Sequence, residues 1–237
     1  MKRKYSVAVA IREPKIPYRE TIRREAEAHG RHKKQTGGRG QFGDCHVRLR
    51  PRGRGEGYAF IDAIVGGVIP NKFIPAVDKG IQEAAQRGVL AGFPMVDFEA
   101  ECYDGSYHNV DSSEVAFKIA GSHAFQEAAR AADPVILEPV LEVEVTTPDD
   151  FLGDVIGDLN QRRGRILGLE PAGRSQRIRA LVPQAELYRY ATTLRSISQG
   201  RAAHSRRFHA FEELPQTEVN KVIEAAKRER EIEAVAR

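Results

Sequence analysis

Residues 37–43, GGRGQFG, carry the spacing most suggestive of chemistry. Gly38, Gly40 and Gly43 fit G-x-G-x-x-G, in which backbone amides approach a pyrophosphate. That use needs a helix N-terminus after the glycines, because the helix supplies unpaired N–H groups and the positive end of its dipole. Here Cys45, Val47 and Leu49 alternate with His46, Arg48 and Arg50, the period of a half-buried strand that Pro51 ends. The loop therefore opens into a strand and is not read as a dinucleotide site. Protein kinases place a glycine loop between strands, but they also need V-A-I-K, H-R-D and D-F-G, and none occurs in this sequence. G-x-x-x-x-G-K-[ST] is missing as well, so the chain has no P-loop for GTP.

Two other groups of residues invite a chemical reading. His29, His32, Cys45 and His46 resemble metal ligands, but if His29 and His32 lie on a strand they point to opposite faces, and no structural-zinc spacing pairs them with Cys45. No metal site is expected from them. His108 lies among Asp104, Asp111, Ser112 and Ser113, which mimic a triad in composition without a nucleophile elbow such as G-x-S-x-G. No catalytic residue is expected there. Asp111 and Ser112 are read as caps of the following helix, with Glu114 as capping-box partner, which leaves His108 without a structural reason.

Charge points toward polyanions by its placement more than by its sum. The net charge is only +4, yet residues 19–54 hold 11 Lys and Arg against 4 Asp and Glu. A cationic segment around a glycine loop suggests a phosphate backbone. Farther on, Arg162 and Arg163 suit a helix C-terminus, which attracts cations. Arg174, Arg177, Arg179, Arg201, Arg206 and Arg207 are not explained that way and suggest an RNA surface, with Arg177 and Arg179 on one sheet face.

The elements that must position these residues follow from periodicity. The 237 residues have room for one large or two ordinary domains. There is no apolar run near 18 residues, and the Tyr5–Ile11 stretch is too short for a secretory segment, so a cytoplasmic location without membrane contact is expected. Cys45 and Cys102 read as buried free thiols. Residues 5–11 predict a strand, and residues 18–34 fit either a strand or a charged helix. The strand to Arg50 is expected to pair as a hairpin, through PRGRGEG, with a strand over residues 59–65. Asn71 is read as the cap of a helix striped by Ile74, Val77, Ile81 and Ala84. A strand with Phe98, Ala100 and Cys102 on one face and a second amphipathic helix from Asp111 follow. Beyond Pro134 the order is β-α-β-β-α-β, with Thr147 as an N-cap and Gly164 closing the first helix, and a final helix begins at Thr217. The fold class is α+β.

The blocks QTGGRGQFG, IVGGVIPNKFIPAVDKGI, YDGSYHNVDSSEVAFKIAG and LEPVLEVEVTTPDDFLGDVIGDLNQRRGRILGLEP together resemble the C-terminal part of bacterial elongation factor G, over residues 15–214. The resemblance implies two domains. A left-handed βαβ crossover domain of the family's domain IV type covers residues 18–137, completed by a C-terminal helix over 215–237. A ferredoxin-like βαββαβ sandwich of the domain V type covers 138–214, and residues 1–17 are the tail of domain III. It implies a translocation factor that contacts tRNA and mRNA in the ribosomal decoding site through Gly37, Gly38, Arg39, Gly40, Gln41, His108 and Asn109, with Arg177 and Arg179 as further RNA contacts. Ribosome, rRNA, tRNA and mRNA are then the partners, and the chain acts as a monomer. GTP and magnesium belong to an N-terminal domain that this sequence lacks, so the chain needs no cofactor and is not itself an enzyme. Where the family usually has Tyr-Gly-His-Val this chain reads FGDCHV. That leaves open an elongation factor G-like paralogue acting in ribosome protection or recycling. A small-molecule kinase-like fold, which shares the left-handed crossover, is the reading from a different class.

Overall fold

The structure, a computed structural model, describes residues 14–35 and 40–235. The strand expected over residues 5–11 lies outside them. The chain is α+β and divides into two compact units, one of Tyr18–Leu137 together with the residues from Glu213 onward, the other built on Glu138–Glu212. Among the described residues no helix is long and apolar enough to cross a membrane.

In the larger unit the sheet order is β2-β3-β5-β4, formed by Ala26–Lys34, Gln41–Pro51, Phe98–Ser106 and Tyr58–Asp62 respectively. Residues 18–34 are thus extended, with β1 (Arg19–Ile22) pairing antiparallel to the start of β6 (Pro134–Pro148). One sheet face, carrying Cys45, Val47, Leu49, Phe98, Ala100 and Cys102, packs against α1 (Ile74–Ala85) and α2 (Glu114–Ala131). Burial raises both thiols, Cys102 to about 12, so both stay protonated.

The expected hairpin between β3 and β4 does not form. β5 takes the place beside β3, and β4 pairs parallel with β5 through the crossover that contains α1. The open sheet face gives the physical reason. Arg50 reaches Glu99 at 3.2 Å and Glu101 at 2.6 Å, and Arg48 reaches Glu101 at 3.2 Å. At the matching positions β4 offers Ala59 and Ile61, which have no charge to give. On the other side Arg48 binds Glu27 at 2.6 Å and Arg50 binds Glu25 at 3.1 Å. Arg48 thereby holds Glu27 below the usual carboxylate range, so this support is present above that range and lost as pH falls through the lowered value.

Helix α2 lies at backbone distance from two strands. A Cβ on Gly30 would sit 2.0 Å from the Ala120 carbonyl oxygen, and one on Gly43 would sit 2.4 Å from that of Ala116. The last helix, α5 (Gln216–Val235), places Val219, Val222, Ile223 and Ala226 against Ala91, Ile136 and Leu214.

The smaller unit has the strand order β9-β6-β8-β7, with β7 Arg165–Ala172, β8 Ser175–Pro183 and β9 Ala203–Glu213. With α3 (Leu152–Gln161) and α4 (Tyr190–Ile197) this is the ferredoxin-like sandwich. Its core gathers Val143, Val145, Val155, Leu159, Ile178, Ala180, Tyr190 and Leu194. Neither Asn71 nor Thr147 caps a helix: each α-helix is preceded by a 3-10 turn, Asn71–Phe73 or Asp149–Phe151, entered from Pro70 or Pro148 without a side-chain cap. The left-handed residue closing α3 is Arg163 (φ 56°), not Gly164. Its side chain binds Glu138 at 2.8 Å and Glu186 at 3.0 Å, which offsets the strain of that conformation.

Among the described residues the most densely bonded carboxylate is Glu20, fully buried on β1. It accepts backbone N–H bonds from Val89, Leu90, Ala91, Gly92 and Phe93 at 2.6–3.1 Å. This wraps the segment before β5 around one side chain, a concave nest of amides. Glu20→Gln would turn an NH2 group toward these donors. Since bonds to charged groups are worth about 1.5–3 kcal/mol each, we expect a loss of at least about 3 kcal/mol, read as a lower urea midpoint. An unchanged midpoint would show that the cradle is not needed.

Candidate nucleic-acid interface

Two loops meet at one end of the larger unit. The first joins β2 to β3 and contains the glycine run, of which Gly37, Gly38 and Arg39 lie outside the described residues. The second joins β5 to α2 and contains His108 and Asn109. Gly40 donates its amide to Asp111 Oδ1 at 3.0 Å, and the Phe42 amide donates to the Asp111 carbonyl at 2.9 Å. A bridge between Phe42 and Ser112 continues the contact. One residue therefore ties the loops together through side chain and backbone at once.

This corrects the reading of Asp111 as a helix cap. The N-cap of α2 is Ser113, whose Oγ accepts from the Ala116 amide at 3.3 Å, and position 116 is an alanine, so no capping box exists. Ser112 is buried and its Oγ accepts from the His108 amide at 2.9 Å. His108 Nδ1 accepts from the Asp111 amide at 3.2 Å and the Val110 amide at 3.4 Å, which puts the ring proton on Nε2 and directs it outward. Its ring lies 6.4 Å from that of Phe42. His108 thus has a structural reason after all: it closes its own loop. Its side chain remains 57% exposed, which leaves Nε2 free for an outside acceptor.

Gln41 is exposed and its Oε1 accepts from His32 Nε2 at 2.8 Å, leaving the amide NH2 for an outside partner. Asn109 is exposed. The structure thus brings Gly40, Gln41, His108 and Asn109 together. Arg177 and Arg179 belong to the other unit, where Arg177 pairs with Glu144 at 3.3 Å and Arg179 with Glu170 at 3.5 Å. Their charge is largely matched on that sheet face.

The basic segment that suggested a phosphate surface is also mostly matched. Arg48 and Arg50 are held by the glutamates described above, and Arg23 and Arg54 both reach Glu213, at 2.6 and 3.0 Å. Exposed Lys33 and Lys34, at the glycine-loop end of β2, have no carboxylate at ion-pair distance among the described residues. The cationic potential therefore concentrates beside the loops. Sequence reasoning missed Asp111 and Phe42 as parts of this end. The available signal was Ser113, a better-placed cap that frees Asp111 for another role.

A third cluster lies on the open sheet face. His29 and His46 are cross-strand partners with rings stacked at 4.2 Å, and His29 Nε2 is 2.9 Å from Asp44 Oδ2. Counting spacings along the chain does not reveal this group, because strand pairing assembles it.

The domain IV profile of elongation factor G matches residues 14–133, and the elongation factor G C-terminus profile matches residues 135–222. Elongation factor G of Aquifex pyrophilus is 53% identical over 223 residues, which make up 94% of this chain and 32% of that protein. A crystal structure from Thermus thermophilus superposes with a TM-score of 0.86 at 45% identity, covering 95% of this chain and 34% of the other. The chain thus spans about a third of the length of these relatives.

The Asp111 brace makes a selective prediction. In Asp111→Ala the Gly40 amide loses its acceptor, whereas the Phe42 amide keeps the backbone carbonyl. Hydrogen exchange should quicken at Gly40 and stay slow at Phe42, with a stability loss of about 0.5–1.5 kcal/mol. Equal acceleration at both would mean that the loops separate altogether.

Proposed function

Because this chain belongs to the elongation factor G family, we propose that it forms the RNA-contacting end of a ribosomal translocation factor, meeting tRNA and mRNA at the decoding site. The observation that carries this reading is the Asp111 brace, which presents Gly40, Gln41, Asn109 and His108 on one exposed end beside Lys33 and Lys34. Such an end suits A-form RNA, whose shallow minor groove displays 2′-hydroxyls to backbone and amide groups rather than a base code. Contact through backbone, Gln41 and His108 is indifferent to sequence, as a factor that moves every codon requires. In this reading the partners are the ribosome with its rRNA, tRNA and mRNA, and Arg177 and Arg179 form a secondary RNA contact. GTP and magnesium are handled by a part of the parent protein outside these residues, since the sequence has no P-loop.

A second reading, an elongation factor G-like paralogue that acts in ribosome protection or recycling, is favoured by one feature. After Gly43, β3 continues with Asp44-Cys45-His46 where the family usually continues with His-Val, and β3 bulges against β5 immediately after His46.

Single-turnover translocation with the full-length parent tests the proposal. Gln41→Ala and His108→Ala should each slow it about tenfold, the equivalent of about 1.4 kcal/mol at the transition state, with stability within about 0.5 kcal/mol for Gln41→Ala and lowered by about 0.5–1.5 kcal/mol for His108→Ala, which also gives up the Nδ1 acceptor. Gly40→Val should be worse, because a Cβ there would lie 2.9 Å from the Asp111 carboxylate. Unaltered rates in all three would overturn the proposal. Slowed subunit splitting with normal translocation would favour the second reading.

A further inference from the structure

We propose that His29, Asp44 and His46 form a binding site for one borderline divalent transition-metal ion of the Zn2+ class. The site lies on the open face of the larger unit's sheet and is independent of the RNA-contacting role. Register assembles it. His29 on β2 stands directly opposite His46 on β3, and Asp44, two residues before His46, shares its face. One ligand atom from each of the three lies within 4.8 Å of the others.

The chemistry of the donors fits. Two neutral imidazoles and a carboxylate make an N2O set of the kind Zn2+ accepts, with a fourth position left for water or an outside donor. Tetrahedral binding with ligands at about 2.0–2.2 Å needs donor separations of about 3.3–3.5 Å. His29 Nε2 and Asp44 Oδ2 are already 2.9 Å apart. The remaining closure falls to His46, whose ring is stacked parallel to that of His29 within 7°. Parallel rings direct their in-plane lone pairs side by side, so binding requires the His46 ring to turn until its nitrogen points at the shared ion.

The surroundings prepare the site. The Asp44 side chain is only 10% exposed, so a carboxylate is held nearly dry on a face that is otherwise solvated. The strand irregularity falls between His46 and Val47, and bulges of this kind re-aim a side chain. Cys45 does not take part, because it points into the core on the opposite face and burial keeps its thiol protonated. The competitor is Arg31, whose Nε lies 3.7 Å from Asp44 Oδ2. Arg31 is half exposed and also lies over the Phe42 ring at 5.5 Å, so it can leave the carboxylate without losing its other partner. Displacing it costs some affinity, which places the site among exchangeable rather than permanent metal centres.

Metal titration of the 237-residue chain tests the proposal, with Co2+ followed by its visible absorption and Zn2+ by calorimetry. The chain should take up one ion, and uptake should weaken on acidification, because protons compete with the metal for its ligand atoms. His29→Gln and His46→Gln should each weaken binding by more than the ~10–100-fold that losing an outer-sphere partner costs. Asp44→Asn should do the same. His32→Gln, whose partner is Gln41, should bind as the unaltered chain does. Circular dichroism melts accompany every variant, and the exposed His29 keeps the test open if Asp44→Asn or His46→Gln fails to fold. No saturable uptake, or uptake that persists in folded His29→Gln, would overturn the proposal.

Discussion

The larger unit is organised by a helix set against a sheet at backbone distance. α2 rests on β2 at Gly30 and on β3 at Gly43, where no Cβ fits, and it meets them with Ala116, Ala120 and Ala124 one turn apart. Side chains as small as these let carbonyl groups approach a strand directly, at the expense of the burial that larger residues would supply. The gain is positional. Gly43 lies three residues after Gly40, and Ala116 lies five residues after Asp111. Fixing Gly43 against Ala116 therefore fixes the two loops against each other before any hydrogen bond between them is counted. The Gly40–Asp111 bond then trims an alignment that packing has already made.

Strand order is decided on the opposite face. A sheet with one apolar face could place either β4 or β5 beside β3, since both carry apolar residues at alternate positions. The ladder of Glu25 and Glu27, Arg48 and Arg50, Glu99 and Glu101 distinguishes them, because only β5 brings carboxylates to the far side of the arginines. Individual exposed ion pairs contribute little stability. Their value here is discrimination: with β4 in that place, two arginines would lack their inner partners. The same ladder explains why a segment that looks strongly basic in sequence presents most of its free cationic charge only beside the glycine loop.

Much of this was legible in the sequence where a pattern is local. The alternation over Cys45, Val47 and Leu49, the stripe through Ile74, Val77 and Ile81, and the β-α-β-β-α-β order all follow from periodicity and match the observed elements. What was not legible depends on pairing between distant strands. PRGRGEG looks like a hairpin turn because nothing near it reveals that residues 98–102 will intervene. Asp111 looks like a cap because its partner, the Gly40 amide, lies 71 residues away. His29 and His46 look unrelated because the register that stacks them belongs to the sheet. Asn71 and Thr147 failed for a smaller reason, since a proline followed by a 3-10 turn can start a helix without any side-chain cap.

Asp111 also shows how one residue can serve both architecture and recognition without contacting a ligand. Its carboxylate and carbonyl both point inward, to Gly40 and Phe42, and its amide is taken by His108. With these groups satisfied internally, the polar groups left facing solvent among the described residues of the two loops include the amide NH2 of Gln41, Nε2 of His108 and the side chain of Asn109. Rigid polar groups on a braced loop lose less entropy on meeting RNA than the same groups on a free one. The brace therefore acts on affinity through what it keeps still. That accounts for an acidic residue at the end of the larger unit that also carries Lys33 and Lys34: its carboxylate is engaged by the Gly40 amide rather than turned toward phosphate.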